Sequence, residues 1–358
     1  MSLRPILLLA AVAWLSSCAK APAPVSQAPK PIEVRVVVVT MFEIGEDTGD
    51  VPAEFQLWRE REHLDTRLPF SHHHDLLLNE KTGVLGMVTG MGSINSASAV
   101  MLLGTDPRFD LSKAYWLVAG IAGVDPEDAS IGSAAWAEYL VDGDLAHEID
   151  AREMPKDWPT GYFARDTKKP YDPKRPPSTG EVFHLNPGIV GWAFDKTKDV
   201  ALPDSDALAK ERALFKGFPN AQKPPFVLKG DNLAGMTFWH GKLLNEWANQ
   251  WVRYWTDGKG QFVTSAMEDT GSYSSVNYLH PTGKVNRNRF MVLRTASNYT
   301  TQPPGQTAAE HLLKENEGYA GLNASVDAAY RVGSVIVNEI SGHWDQYRDN
   351  TPGGEPAQ

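Results

Sequence analysis

Cysteine is nearly absent: Cys18 is the only one in 358 residues, so no disulfide can close within the chain. Positive charge is scarce too. Lys and Arg number 34 against 44 Asp and Glu, a net charge of -10. A surface that neutralises phosphates needs the opposite balance, which argues against a nucleic-acid partner and against simple attraction to anionic lipid. Long apolar runs are missing as well. Val34 to Met41 is strand-length, and Val332 to Ile340 is interrupted by Ser334, Asn338 and Glu339, whereas a spanning helix needs about twenty apolar residues. The chain also lacks a nucleophile elbow, a phosphate-binding loop and a zinc-protease helix motif.

What the chain does have begins at its amino terminus. Arg4 precedes a short apolar run, Ile6 to Leu15, followed by Leu15-Ser16-Ser17-Cys18. The pattern is that of a secretory signal, and its last four residues resemble a bacterial lipobox. The expectation is a signal peptide over 1–17, lipidation of Cys18 and a Pro-, Ala- and Lys-containing tether over 18–31. Ordinary cleavage near Ser17 is the alternative. Ala19 after the cysteine points to the outer membrane, so the expected location is the bacterial cell envelope, lipid-anchored on the periplasmic face of that membrane.

From Ile32 the sequence alternates strand-like and helix-like segments, which predicts an α/β sandwich. Strands are expected over Ile32–Thr40, Thr82–Thr89, Tyr115–Ala119, Ser133–Val141, Phe226–Leu228, Phe262–Ala266 and Phe290–Leu293. Helices are expected after Ser93, over Asp204–Lys216, along the stripe Leu243, Leu244, Trp247, Trp251, Tyr254, and around Ala328–Ile336. The Trp stripe reads as core at helical spacing. The Pro- and Lys-rich stretch about 152–187 reads as a surface insertion in a single domain over 32–349, with a disordered tail over 350–358.

Several polar groups stand at the ends of apolar runs, where open α/β sheets bind ligands. Gly90-Met91-Gly92 follows a strand and precedes a helix. It could receive an anion or a ribose oxygen, or be only a tight turn. Met267, Glu268 and Asp269 end the next signature. A carboxylate can accept from both hydroxyls of a ribose diol and Met267 can pack on the sugar, but two acids also suit a helix start. Asn298 offers a donor and an acceptor to a heterocycle edge, and could equally cap a turn. Glu43 and Glu46, past the first strand, could position a water or be solvated loop acids. His72-His73-His74-Asp75 invites a metal, yet consecutive side chains rarely converge on one ion. No metal and no cofactor is expected.

Taken in order, the motifs NPGIVGWAF (186–194), the Trp-rich helix, SAMEDTGSY and VLRTASNY resemble the purine nucleoside permease family. TGMGSINSA, VAGIAGVDPEDASIG, KGDNL, AMED and RTASN are similar to the nucleoside phosphorylase and nucleosidase superfamily. The resemblance implies a three-layer α/β/α sandwich with a central mixed sheet. It implies that Met267 and Glu268 line a ribose site, that Asn298 faces the base where nucleosidases carry Asp, and that Leu233 and Phe238 fall near the base-stacking segment. The phosphate-binding arginine and serine of hexameric phosphorylases are replaced by Val118 and Ile121, which makes phosphorolysis the less fitting reaction.

The expected function is purine nucleoside binding in nucleoside uptake. The alternative is hydrolysis of the N-glycosidic bond, with Glu43 or Glu46 positioning water, Glu268 holding the diol and Asn298 supporting the leaving base. A purine nucleoside is the expected partner, with a transporter and further copies of the chain as candidates.

Overall fold

The computed structural model describes residues 29–70, 74–315 and 317–354. The expected signal peptide, Cys18 and most of the tether lie outside the described residues. No helix among the described residues is long and apolar enough to cross a membrane.

The valine run makes the middle of the sheet. Val36–Thr40 is fully buried and pairs in parallel with Val84–Val88 on one side and Tyr115–Val124 on the other. Five consecutive β-branched residues suit a strand covered on both faces. Ile32–Glu33, expected as part of this strand, pairs separately with Phe109–Asp110. Beyond Val84–Val88 the sheet continues antiparallel through Leu76–Asn79 and Thr66–Leu68.

Tyr115–Val124 is the hub of the twelve-stranded mixed sheet. Phe290–Tyr299 runs parallel along its length, and Phe262–Ala266 pairs antiparallel with its end. Asp231–Ala234, Tyr139–Asp142 and Val182–His184 follow in order beyond Phe262–Ala266. On the other branch, Phe290–Tyr299 pairs with Ala134–Trp136, which pairs with Val227–Lys229.

The sequence expected the hub strand to stop at Ala119, with Gly120 to Gly123 forming a turn. The strand runs through them to Val124. These glycines make room instead of turning the chain: a Cβ on Gly120 would lie 2.5 Å from Glu54 Oε1 and 2.8 Å from Arg294 Nη1. Ser133–Val141, expected as one strand, is split into Ala134–Trp136 and Tyr139–Asp142, where the Asp231 carboxylate accepts from the amides of Glu138 and Tyr139.

Helices complete the layers. Asn186 caps Pro187–Thr197 by accepting from Gly188 N, with Pro187 at the first helical position. Lys242–Trp255 buries Trp247, Trp251 and Trp255 four residues apart, and Trp251 Nε1 donates to Asp142 O at 2.8 Å, so the Trp residues of the stripe are core, whereas Leu243 at its start is 77% exposed. Leu322–Gly342 lies close on the sheet because Gly333 has no Cβ to meet Trp58 and Leu117. Ser93–Thr105 packs against Asp269–Leu279, with Gly104 against Leu279 and Gly271 against Ser93. Of the expected insertion, Tyr162–Phe163 pairs with His147–Glu148, and Val182–His184 extends the main sheet. Residues 350–354, expected as part of a tail, are held to the body: Asn186 Nδ2 donates to Gly354 O at 2.9 Å.

Candidate functional site

The site grows from two strand ends and the middle of a third strand, which meet level with Gly120 of the hub strand. Phe262–Ala266 ends in Met267 and Glu268, immediately before the helix Asp269–Leu279. Val84–Val88 ends in the turn Gly90-Met91-Gly92, whose two glycines have φ of +83° and +90°, a region costly to other residues. Gly92 N donates to Glu268 Oε1 at 2.9 Å, and Ser96 Oγ donates to Glu268 O at 3.0 Å. The glycine turn therefore grips a carboxylate of the chain itself.

The third segment is the strand Phe290–Tyr299. Its Arg294 is almost fully buried and donates Nη2 to Glu268 Oε2 at 2.9 Å, Nε to both oxygens of Asp269 at 3.1 and 3.2 Å, and Nη1 to Ile121 O at 3.1 Å. Burial lowers the Arg294 pKa, but Asp269, Glu268 and Glu54 together hold it above its ordinary value. One guanidinium thus faces three carboxyls. The surplus shows in the acids: burial, joined by the charge of Glu268, raises Asp269, and the same causes push Glu54 up to about 7 against the pull of Arg294.

Glu54 was not singled out in the sequence, where it closes an acidic loop. It accepts from Ile121 N and from Met41 N, each at 2.7 Å, and so ties the loop to the hub strand. Its neighbours Ala53 and Phe55 are apolar, but Glu43 likewise stands between Phe42 and Ile44, so sequence context does not separate the two acids.

The expected water-positioning acids lie elsewhere. Glu43 is saturated by backbone: Oε1 accepts from Ile44 and Ala53, and Oε2 from Phe55 and Gln56, at 2.6 to 3.0 Å. It fastens the loop to the start of the Gln56–Arg61 helix. Glu46 is exposed on that loop, its amide bonded to Asp50. Among the described residues the carboxylates bonded to Arg294 are Glu268 and Asp269, not Glu43 or Glu46. Asp269, expected to touch a ligand, is fully buried and committed to Arg294. Leu233 is buried among Trp247, Trp251 and Phe262 and lines a cavity of about 130 Å³ with Tyr162 and Trp239. Phe238 is 45% exposed and stacks on Tyr319. Met236, not singled out, lies over the Gly92 turn. Met267 is half-buried beside Glu268.

Asn298 lies across the hub strand from Glu268. It is in register with Gly123, which is paired on its other edge with Ser265, three residues before Glu268. A register shift between Ala296 and Asn298 marks a bulge, a device that re-aims side chains. Asn298 Oδ1 accepts from Ser297 Oγ at 2.9 Å, and the amide lies against the Glu315 carboxyl. Val118 is buried within the hub strand, and the Ile121 amide donates to Glu54.

As for metals, His72 and His73 lie outside the described residues, and His74 binds Asp47 and the Asp75 carbonyl. Among the described residues, His240, His311 and Glu315 form a group with metal-binding donors.

Comparison with known proteins agrees with this architecture. The model of the family described as purine nucleoside permease matches residues 33–352. A probable purine nucleoside permease of Schizosaccharomyces pombe is 30% identical over 278 residues, 75% of this chain and 79% of that protein. A purine nucleoside permease of Candida albicans is 31% identical over 266 residues, 73% of this chain and 64% of that protein. Among solved structures, a 5'-methylthioadenosine/S-adenosylhomocysteine nucleosidase of Neisseria meningitidis aligns with a TM-score of 0.50 at 15% identity, over 86% of this chain and 99% of that one. A futalosine hydrolase of Helicobacter pylori gives 0.51 at 15%, over 86% and 98%. At such identity the two structures establish the shared nucleoside phosphorylase-like fold. The named relatives are fungal, which overturns the expected location on a bacterial outer membrane.

Proposed function

The chain belongs to the purine nucleoside permease family, and from that membership we propose that it binds a purine nucleoside and takes part in its uptake. Met267 and Glu268 take the ribose and Asn298 the base. The observation that carries this reading is the clamp on Glu268. Gly92 N and Arg294 hold its two oxygens in fixed directions at a strand tip. A carboxylate fixed in this way is ready to accept from a diol without reorganising.

A second reading, hydrolysis of the N-glycosidic bond, is favoured by one specific feature. Glu54 is a buried acid whose pKa is pushed up to about 7, within the field of Arg294 and Glu268. A base poised near neutrality suits the activation of water. In this reading Glu54 replaces Glu43 and Glu46 as the acid that orients water. Asn298 cannot give up a proton as an acid would, so it supports the departing base by hydrogen bonding.

Incubating the purified protein with inosine or adenosine, with and without phosphate, and separating free base by chromatography tests both readings. Saturable nucleoside binding with no free base supports capture for uptake. Base released without phosphate supports hydrolysis. Absence of both would overturn the nucleoside assignment.

A further inference from the structure

His240, His311 and Glu315 come from two separate segments. His240 precedes the helix Lys242–Trp255. His311 and Glu315 lie four residues apart on the helix Ala308–Glu315, and so share a face. The two imidazoles stack with ring centres 5.0 Å apart. His240 Nε2 is 3.1 Å from His311 Nδ1, His311 Nδ1 is 3.7 Å from Glu315 Oε1, and His240 Nδ1 is 3.6 Å from Glu315 Oε2. One donor atom from each residue lies within 4.8 Å of the other two.

Two of these atoms are unsatisfied. The His240 side chain is fully buried and the Glu315 side chain 9% exposed, yet His240 Nδ1 and Glu315 Oε2 have no partner of good hydrogen-bond geometry among the described residues, although the Tyr299 backbone also faces the His240 ring. Buried polar atoms without partners are uncommon and call for an explanation. A bound cation supplies one. Zinc binds imidazole nitrogen and carboxylate oxygen at about 2.0–2.2 Å, so two donors on one tetrahedral ion stand roughly 3.3 Å apart; with one atom from each residue the three donors lie within 4.8 Å here, and the side chains would draw together around the ion.

We propose that His240, His311 and Glu315 form a binding site for a divalent transition metal of the zinc class. Glu211 completes the arrangement from outside. Its Oε1 is 3.6 Å from His311 Nε2, which turns Nδ1 toward the other two donors, as carboxylates commonly do behind metal-bound histidines. Lys314 offsets the Glu211 charge at 3.3 Å. A cavity of about 50 Å³ beside His311, Glu315 and Asn298 has room for a water as fourth ligand. Because the Glu315 carboxyl also lies against the Asn298 amide, the metal would fix the orientation of that amide. The metal site itself does not depend on a nucleoside reaching Asn298.

The test uses the purified full chain, stripped with chelator and titrated with cobalt(II). The expected result is one equivalent bound, with the visible absorption of tetrahedral cobalt, displaced by zinc. Glu315→Gln and His240→Gln should each weaken binding at least tenfold while circular dichroism shows them folded. If His240→Gln does not fold, Glu315→Gln and His311→Gln carry the comparison. The variant His72→Ala/His73→Ala should keep the equivalent. Failure of the full chain to bind cobalt, or full binding retained in Glu315→Gln, overturns the proposal.

Discussion

Arg294 Nη2 lies 2.9 Å from Glu268 Oε2, and this contact bolts the end of one strand to the middle of another, the two flanking the hub of the sheet. With Asp269 on the same guanidinium and Glu54 nearby, Arg294 is the charge that lets three buried acids coexist. Arg294→Met should therefore cost about 3–5 kcal/mol at pH 7.5, the scale for stranding buried charge. Urea denaturation measures it. The cost should shrink at pH 5, where Glu54, pushed up to about 7 by burial, already holds its proton. An equal loss at both pH values would show that Arg294 acts through packing and not through charge.

The buried strands and the Trp helix were legible because their patterns are local: a valine run, and aromatics four residues apart. The ends of the hub strand were not. Gly120 to Gly123 look like a turn in sequence, and only the crowding of Met41, Glu54 and Arg294 onto Gly120 explains why glycine stands within a strand. Glu268 and Asn298 could be picked out as polar residues at the ends of apolar runs. Their partners could not, since Gly92 is 176 residues from Glu268 and His240 is 71 from His311. The loop acids misled for the same reason. Glu43 and Glu54 look alike in sequence, and only tertiary pairing gives one the backbone of its own loop and the other the buried cluster.

Glu43→Ala should destabilise the protein by about 2 kcal/mol. Four backbone amides lose a charged acceptor, each bond worth on the order of 1 kcal/mol and partly replaced by water. Chemical denaturation reads the loss. Nucleoside affinity should stay within about twofold of the parent. A large drop in affinity with stability intact would return Glu43 to the ligand site.

The Glu54 carboxyl titrates at about 7 in the folded chain, against 4.5 as its ordinary value. The folded state keeps this proton longer than the unfolded state does. The resulting stability is fully present below pH 4.5 and is lost as the pH rises through 7, by roughly 3 kcal/mol for one group. Comparing urea midpoints of the parent and Glu54→Gln between pH 4 and 8 isolates it: the difference should move in favour of the variant as pH rises. Parallel profiles would remove Glu54 from the titrating cluster. If the chain hydrolyses nucleosides, the same variant should lose the rate limb near pH 7.

Glu268 and Asn298 make opposite predictions for the two halves of a nucleoside. Glu268→Ala removes a diol acceptor and should weaken inosine binding about tenfold, near 1.4 kcal/mol, while leaving hypoxanthine unchanged in calorimetry. Asn298→Ala removes the heterocycle contact and should weaken both ligands alike. The contrast matters because Glu268 is also gripped by Gly92 and Arg294, so a loss of fold alone would depress both ligands in Glu268→Ala. Equal losses of inosine and hypoxanthine in that variant would place its effect in the fold and detach the ribose from Glu268.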